Sequence, residues 1–219
     1  MIEYNKIDTV YERDVDGTKK LIEGKFRSKA VEFLADCNWT FTEKIDGTNI
    51  RIHWDGHKVE FGGRTERANI PSHLLNKLIE VFLNNETEEL FEQTFGEKDV
   101  ILFGEGYGIK IQNGGNYRPD VGFILFDVMV NGIYLNRDNV EEIAKTFGIE
   151  VVPVVMRGTI KEAVSFVKTA PNSTIGTAKM EGLVGRPSVE LLEGRGKRII
   201  IKIKVCDFAR EAKNNGSNA

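Results

Sequence analysis

Trp39-Thr40-Phe41-Thr42-Glu43-Lys44-Ile45-Asp46-Gly47-Thr48-Asn49-Ile50-Arg51-Ile52 contains two apolar-alternating runs separated by a short polar break. Alternation of period two predicts a strand on each side of a turn, with Lys44 at the end of the first strand. Gly47 has no Cβ and lets the backbone approach a ligand closely. A lysine placed in this way is a candidate nucleophile, but an amine attacks only when unprotonated, and free lysine is almost fully protonated at neutral pH. Neighbouring cations and partial burial would have to lower its pKa. The second run continues through His53-Trp54-Asp55-Gly56-His57-Lys58-Val59-Glu60-Phe61, where alternation on both sides of Asp55-Gly56 predicts a hairpin over 50–61.

Further along, Ser72 is placed to cap a helix over about 73–83, and a second helical run covers about 87–95 before Gly96. Strand-like runs follow at 99–104 and 121–130, and Asn131-Gly132 turns the latter into Ile133-Tyr134-Leu135. Residues 138–147 read as a helix ended by Gly148, and Thr159 with Glu162 forms a capping box for a helix at 160–168. The last strands fall near 180–185 and 198–205, before the polar tail Lys213-Asn214-Asn215-Gly216-Ser217-Asn218-Ala219, which reads as disordered. Hairpins mixed with separate helices imply an α+β fold rather than a doubly wound parallel sheet. One domain over 1–208, followed by a polar tail at 209–219, is the simplest division of the 219 residues.

Hydrophobic residues make up 41% of the chain, enough for a substantial core. No apolar run reaches the ~18 residues of a membrane span, and Met1-Ile2-Glu3-Tyr4-Asn5-Lys6 lacks a signal-peptide core, so a soluble, cytoplasmic protein is expected. Cys37 and Cys206 suit a reducing compartment, and they form no metal-ligand pattern with His53, His57 and His73. A formal net charge of −3 argues against a protein that coats nucleic acid by charge alone. Any nucleic-acid site must be local. The candidates are Lys19-Lys20 with Lys25, Arg27 and Lys29, and Arg195-Gly196-Lys197-Arg198 leading into Lys202 and Lys204; a solvated charged face is the alternative for both.

The lysine segment is followed, in order, by Gly62-Gly63-Arg64-Thr65, Leu102-Phe103-Gly104-Glu105-Gly106-Tyr107-Gly108, Phe123-Ile124-Leu125-Phe126-Asp127-Val128, Glu181-Gly182-Leu183-Val184-Gly185-Arg186-Pro187 and Ile201-Lys202-Ile203-Lys204. Each motif is short and individually weak, but their order within one small region is specific. Over about residues 39–208 the chain resembles the ATP-dependent polynucleotide ligases, closest to the phage-type RNA ligases of the covalent nucleotidyltransferase superfamily. The resemblance implies an α+β nucleotidyltransferase (ATP-grasp-like) catalytic domain with antiparallel sheets flanking an ATP cleft, and it implies ATP and Mg2+ as the small-molecule requirements.

It also implies roles for individual residues. Lys44 would attack the α-phosphate of ATP and become lysyl-AMP. Its neighbours Glu43 and Ile45 join the ATP-binding set, and Asn49 helps to place phosphates unless it is an Asx-type turn residue. Arg64, after two glycines, would lie against a phosphate, with a hairpin-exit arginine as the alternative. Glu105, between Gly104 and Gly106 where exposed backbone approaches a ligand readily, would accept from the ribose hydroxyls. Phe126 resembles the aromatic that stacks on adenine. Period-two alternation places Ile124, Phe126 and Val128 on one face, with Phe123, Leu125 and Asp127 on the other; Phe126 is favoured over Phe123, although a core role competes for either. Glu181 would hold the magnesium ion through a hard oxygen donor. Lys202 and Lys204, two apart on a strand, would grip one triphosphate from the same face unless that face is merely exposed.

Phage nick-sealing ligases often have histidine where Asp46 stands, so the motif does not separate RNA from DNA. Only fifteen residues follow Lys204, and the chain reads as a bare catalytic domain without a C-terminal OB-fold or helical domain. The leading expectation is an ATP-dependent RNA ligase acting on nucleic-acid ends or nicks that carry a 5′-phosphate and a 3′-hydroxyl. A partner chain is one possible source of the remaining contacts. The alternatives are a minimal ATP-dependent DNA ligase and a non-catalytic adenylate- or nucleic-acid-end-binding module.

Overall fold

The computed structural model describes residues 1–208; the polar tail lies outside the described residues. The strands in chain order are β1 (Asp8–Thr9), β2 (Tyr11–Arg13), β3 (Leu21–Phe26), β4 (Trp39–Lys44), β5 (Thr48–Trp54), β6 (Val59–Gly62), β7 (Val100–Gly108), β8 (Val121–Val130), β9 (Ile133–Tyr134), β10 (Glu150–Val151), β11 (Val154–Gly158), β12 (Gly182–Pro187), β13 (Leu192–Glu193), β14 (Lys197–Arg198) and β15 (Ile201–Lys204). The α-helices are α1 (Lys29–Phe33), α2 (Ser72–Phe82), α3 (Asn85–Phe95), α4 (Arg137–Thr146) and α5 (Ile160–Lys168). None of the described helices is long and apolar enough to cross a membrane. The chain forms two compact units, one from Met1–Asn5 and Asp46–Val152, the other from Lys6–Ile45 and Pro153 onward.

The first unit is built on a sheet ordered β10-β8-β7-β5-β6, with β9 beside β8. The predicted 50–61 hairpin is the β5–β6 pair, and β5 also pairs antiparallel with β7. Ile50, Ile52 and Trp54 pack with Leu102, Phe123, Leu125 and Val128 against the apolar sides of α2, α3 and α4. On the opposite face, Ile101, Phe103 and Met129 pack with Met1, Tyr4, Phe126 and Tyr134.

The second unit carries a sheet ordered β1-β15-β12-β4-β11. Trp39, Phe41, Leu183, Ile201 and Ile203 form its core with Ile160, Ala163, Val164 and Val167 of α5. The Thr159–Glu162 capping box is present as read from the sequence. Most pairings are antiparallel, but β1–β15 and β10–β8 are parallel.

Several boundaries move for local reasons. Pro71 stands at the cap position of α2 with no side-chain cap bond, so Ser72 is the first helical residue rather than the cap. α3 starts at Asn85 because the Asn84 side chain accepts from the Thr87 backbone N–H. The final strand run splits into β14 and β15.

The largest correction concerns β8. Phe103 pairs with Asp127 and Gly104 pairs with Leu125, so Phe126 is the extra residue of a β-bulge. The bulge resets the alternation. Val128 joins Phe123 and Leu125 in the helix-facing core, while Phe126 lies on the other face, where Tyr4 also donates to the Asp127 carboxylate at 2.8 Å. Gly104 and Gly106 are buried rather than exposed. A Cβ on Gly104 would fall 2.3 Å from the Phe123 ring, and one on Gly106 would fall 2.4 Å from Leu74. These glycines therefore admit core side chains behind Glu105. Gly104→Ala should destabilise the fold by about 1–3 kcal/mol through overpacking, read as a lower urea midpoint with an unchanged slope.

Candidate active site

In the second unit, strand alternation sorts β4 into two faces. Trp39, Phe41 and Glu43 are buried, whereas Thr40, Thr42 and Lys44 are partly exposed. β15 does the same, burying Ile201 and Ile203 and leaving Lys202 and Lys204 on the other face. β12 runs between them, with Gly182 opposite both Lys44 and Lys204, and Val184 opposite both Thr42 and Lys202. A Cβ on Gly182 would fall 2.1 Å from the Ile203 carbonyl oxygen, so only glycine fits where these strands meet.

Glu181 immediately precedes this glycine and joins the two lysines. Lys44 Nζ donates to its Oε2 and Lys204 Nζ to its Oε1, each at 2.7 Å. The three side chains are 26%, 16% and 30% exposed for Lys44, Glu181 and Lys204, respectively. Burial is the largest single influence on Lys204 and pulls its pKa down, but the hydrogen bond and charge of Glu181, together with the charges of Cys206 and Asp207, leave it above the ordinary lysine value of 10.5. The arrangement thus unites a candidate nucleophile, a carboxylate and a second cation.

Glu43 is separated from this cluster although it adjoins Lys44 in sequence. It is 1% exposed on the apolar face. Its carboxylate accepts from Ser173 Oγ at 2.5 Å and from the Thr174 backbone N–H at 2.8 Å, with a further bond from Thr174 Oγ1. Its side chain anchors the 173–174 loop, whose donors satisfy the buried carboxylate. Nothing in the spacing of Ser173 and Thr174 signals this partnership. Ile45 is buried, at 4% exposure.

In the first unit, Asn49 and Glu105 are paired across β5 and β7. They lie on the sheet face away from the helices, the same face as Phe126. The Asn49 Oδ1 atom is buried and has no hydrogen-bond partner among the described residues, leaving an acceptor for a ligand or water to satisfy. Phe126 is partly buried with its ring 5.0 Å from that of Tyr4, whereas Phe123 belongs to the helix-facing core. Arg64 is exposed beyond the end of β6. The close approach that Gly47 permits is to β7, since a Cβ there would meet the Gly106 carbonyl at 2.4 Å. Asp46 accepts from Asn113 Nδ2 at 2.9 Å, and its backbone N–H faces the Tyr117 hydroxyl at 3.4 Å. These contacts tie the turn after the lysine to the 109–117 loop.

Several residues of the basic patches are paired. Lys25 bonds Glu12 at 2.6 Å and Arg27 stands 3.8 Å from Asp8. Lys197 bonds Asp8 at 2.9 Å and Arg198 bonds Glu190 at 2.5 Å. At these four residues the pairing favours a charge-balanced surface over an open phosphate track. Among the described residues, no group of three or more His, Cys, Asp or Glu side chains is arranged to hold a metal.

The RNA ligase family model matches residues 38–204. The chain belongs to the RNA ligase family. Its fold is shared with solved structures of the Naegleria gruberi RNA ligase. The form with PPi has a TM-score of 0.58 and 18% identity over 79% of this chain and 51% of that one. A mutant with ATP and Mn gives 0.58 and 18% over 79% and 50%, and another with AMP and Mn gives 0.59 and 19% over 80% and 52%. At such identities the likeness establishes the fold alone, an α+β fold shared with those RNA ligase structures. This chain of the RNA ligase family spans about half the length of those structures. No curated protein matches it.

Because its pKa is raised, Lys204 contributes stability that is fully present below pH 10.5 and is lost as pH rises through the folded value. Glu181→Gln should lower that pKa and remove the alkaline loss, as read by NMR titration of the lysine side chain and by urea unfolding at several pH values.

Proposed function

We propose that the chain is an ATP-dependent RNA ligase working through AMP carried on Lys44. The observation that supports this reading most directly is the Lys44–Glu181–Lys204 cluster within a chain of the RNA ligase family. Lys44 leaves its bond to Glu181, sheds a proton and attacks the α-phosphorus of ATP. A nitrogen–phosphorus bond forms, the bond to the β-phosphate oxygen breaks, and pyrophosphate leaves. A 5′-phosphate oxygen of the nucleic-acid end then displaces Lys44 from AMP. Finally, a 3′-hydroxyl attacks that 5′-phosphate, forming the phosphodiester and releasing AMP.

The surrounding residues have distinct tasks. Lys204 and Lys202 offset charge on the phosphates, and Arg64 supplies a guanidinium to them. Glu105 accepts from the ribose hydroxyls, Asn49 helps to orient phosphates, and Phe126 stacks on the base. The backbone beside Glu43 and Ile45 completes the adenylate site.

A single partly buried carboxylate fits magnesium, which keeps several waters and binds through one or two carboxylates together with substrate phosphates. Glu181 is the residue that would hold it, and the ion, when bound, supplies charge neutralisation on the phosphates. ATP and polynucleotide ends meet in the cytoplasm, which is where this reading places the chain. Its partners are RNA ends or nicks.

Incubation with ATP and magnesium should add the mass of one AMP to the intact chain, and Lys44→Ala should abolish the gain while retaining the fold. Persistent covalent label in that variant would overturn the assignment. Addition of a 5′-phosphorylated nicked RNA duplex should discharge the AMP and yield sealed product; adenylylation without discharge would confine the chain to the first step.

A further inference from the structure

β5 carries an arginine on the face opposite Ile50 and Ile52, and that arginine is buried. Arg51 is 1% exposed, flanked along the strand by Ile50 and Ile52. Burying a guanidinium is costly unless its donors are engaged, and a hydrophobic residue would fill the same space without that cost. The donors of Arg51 are engaged in a specific way. Its Nε donates to the Gly63 carbonyl at 2.7 Å, and one terminal nitrogen donates to the carbonyls of Met1 at 2.9 Å and Ile2 at 3.1 Å. The same nitrogen reaches Glu66 Oε1 at 3.4 Å.

These contacts bracket Arg64, with Gly63 before it and Glu66 two residues after it. Gly62, the cross-strand partner of Arg51, makes room for the guanidinium, since a Cβ there would fall 3.1 Å from both Arg51 and the Met1 sulfur. A Cβ on Gly63 would fall 2.8 Å from that of Ala68, whose backbone N–H donates to the Thr65 carbonyl at 3.1 Å. Both glycines before Arg64 thus serve packing of the turn. Arg64 itself is exposed and makes no ion pair among the described residues, so the backbone beneath it determines where its charge stands.

We infer that Arg51 is a positioning residue that pins the 62–66 turn and thereby sets Arg64 for phosphate binding. The inference rests on the phosphate role proposed for Arg64. Arginine is required because its planar fork reaches several carbonyls at once, whereas a lysine ammonium is a point donor on a flexible stem.

The test is a double-mutant cycle on self-adenylylation by the whole chain, measured against ATP concentration. Arg51→Met risks misfolding by stranding the buried Gly63 carbonyl and freeing the Met1 and Ile2 carbonyls, so Arg51→Lys is the working variant, with thermal unfolding confirming that it is folded. Arg51→Lys and Arg64→Ala should each raise the KM for ATP by about tenfold while changing kcat far less. In the Arg64→Ala background, Arg51→Lys should add less than about twofold. An unchanged KM in Arg51→Lys, a fall in kcat alone, or a full additional KM effect in the double variant would overturn the positioning role. An unchanged KM in Arg64→Ala would instead remove the phosphate reading on which the inference stands, and a separate effect of Arg51→Lys would then be structural.

Discussion

A single carboxylate shared by two ammonium groups organises one face of the second unit's sheet. Glu181 can occupy that place because β12 lies between β4 and β15, and because Gly182 lets those strands meet with Lys44 and Lys204 on one side. Each ion pair is partly exposed, where a lone surface pair contributes little to stability. Their value lies in geometry: two lysines from strands separated by 160 positions in sequence, 204 minus 44, are held at one carboxylate.

Alternation along β4 creates a division of labour between adjacent residues. Lys44 faces the cluster, and Glu43 faces the core, where it secures the Ser173–Thr174 loop. A buried carboxylate with several donors resists movement more than an apolar side chain of the same size, because any displacement leaves a charge unsatisfied. The strand end bearing the candidate nucleophile is therefore fixed from behind.

The first unit uses its sheet differently. One face is filled by three helices, and the other carries Asn49, Arg51, Glu105 and Phe126. The bulge at Phe126 is what puts the ring and the neighbouring Asp127 on that second face together. Tyr4 meets both, through its ring and its hydroxyl, so the N-terminal segment buttresses the elements that carry the proposed base and phosphate contacts.

Local sequence alone determined the period-two strands, the Asp55-Gly56 hairpin, the Thr159–Glu162 cap and the motif order that carries family membership. These depend on neighbours a few residues apart and on residue chemistry, so they can be read without coordinates. The identities of Lys44, Glu181 and Lys204 were equally visible, but the bonds between them were not, because they depend on which strands pair. Tertiary packing also decided that Gly104 and Gly106 admit core side chains, that Glu43 turns away from Lys44, and that the β8 alternation breaks. Each of these follows from a contact made by residues distant in sequence, and a one-residue bulge is enough to reverse every later prediction of facing along a strand. Arg51 illustrates the limit most clearly, since an arginine within an alternating run reads as solvent-facing until the segment that covers it is in place.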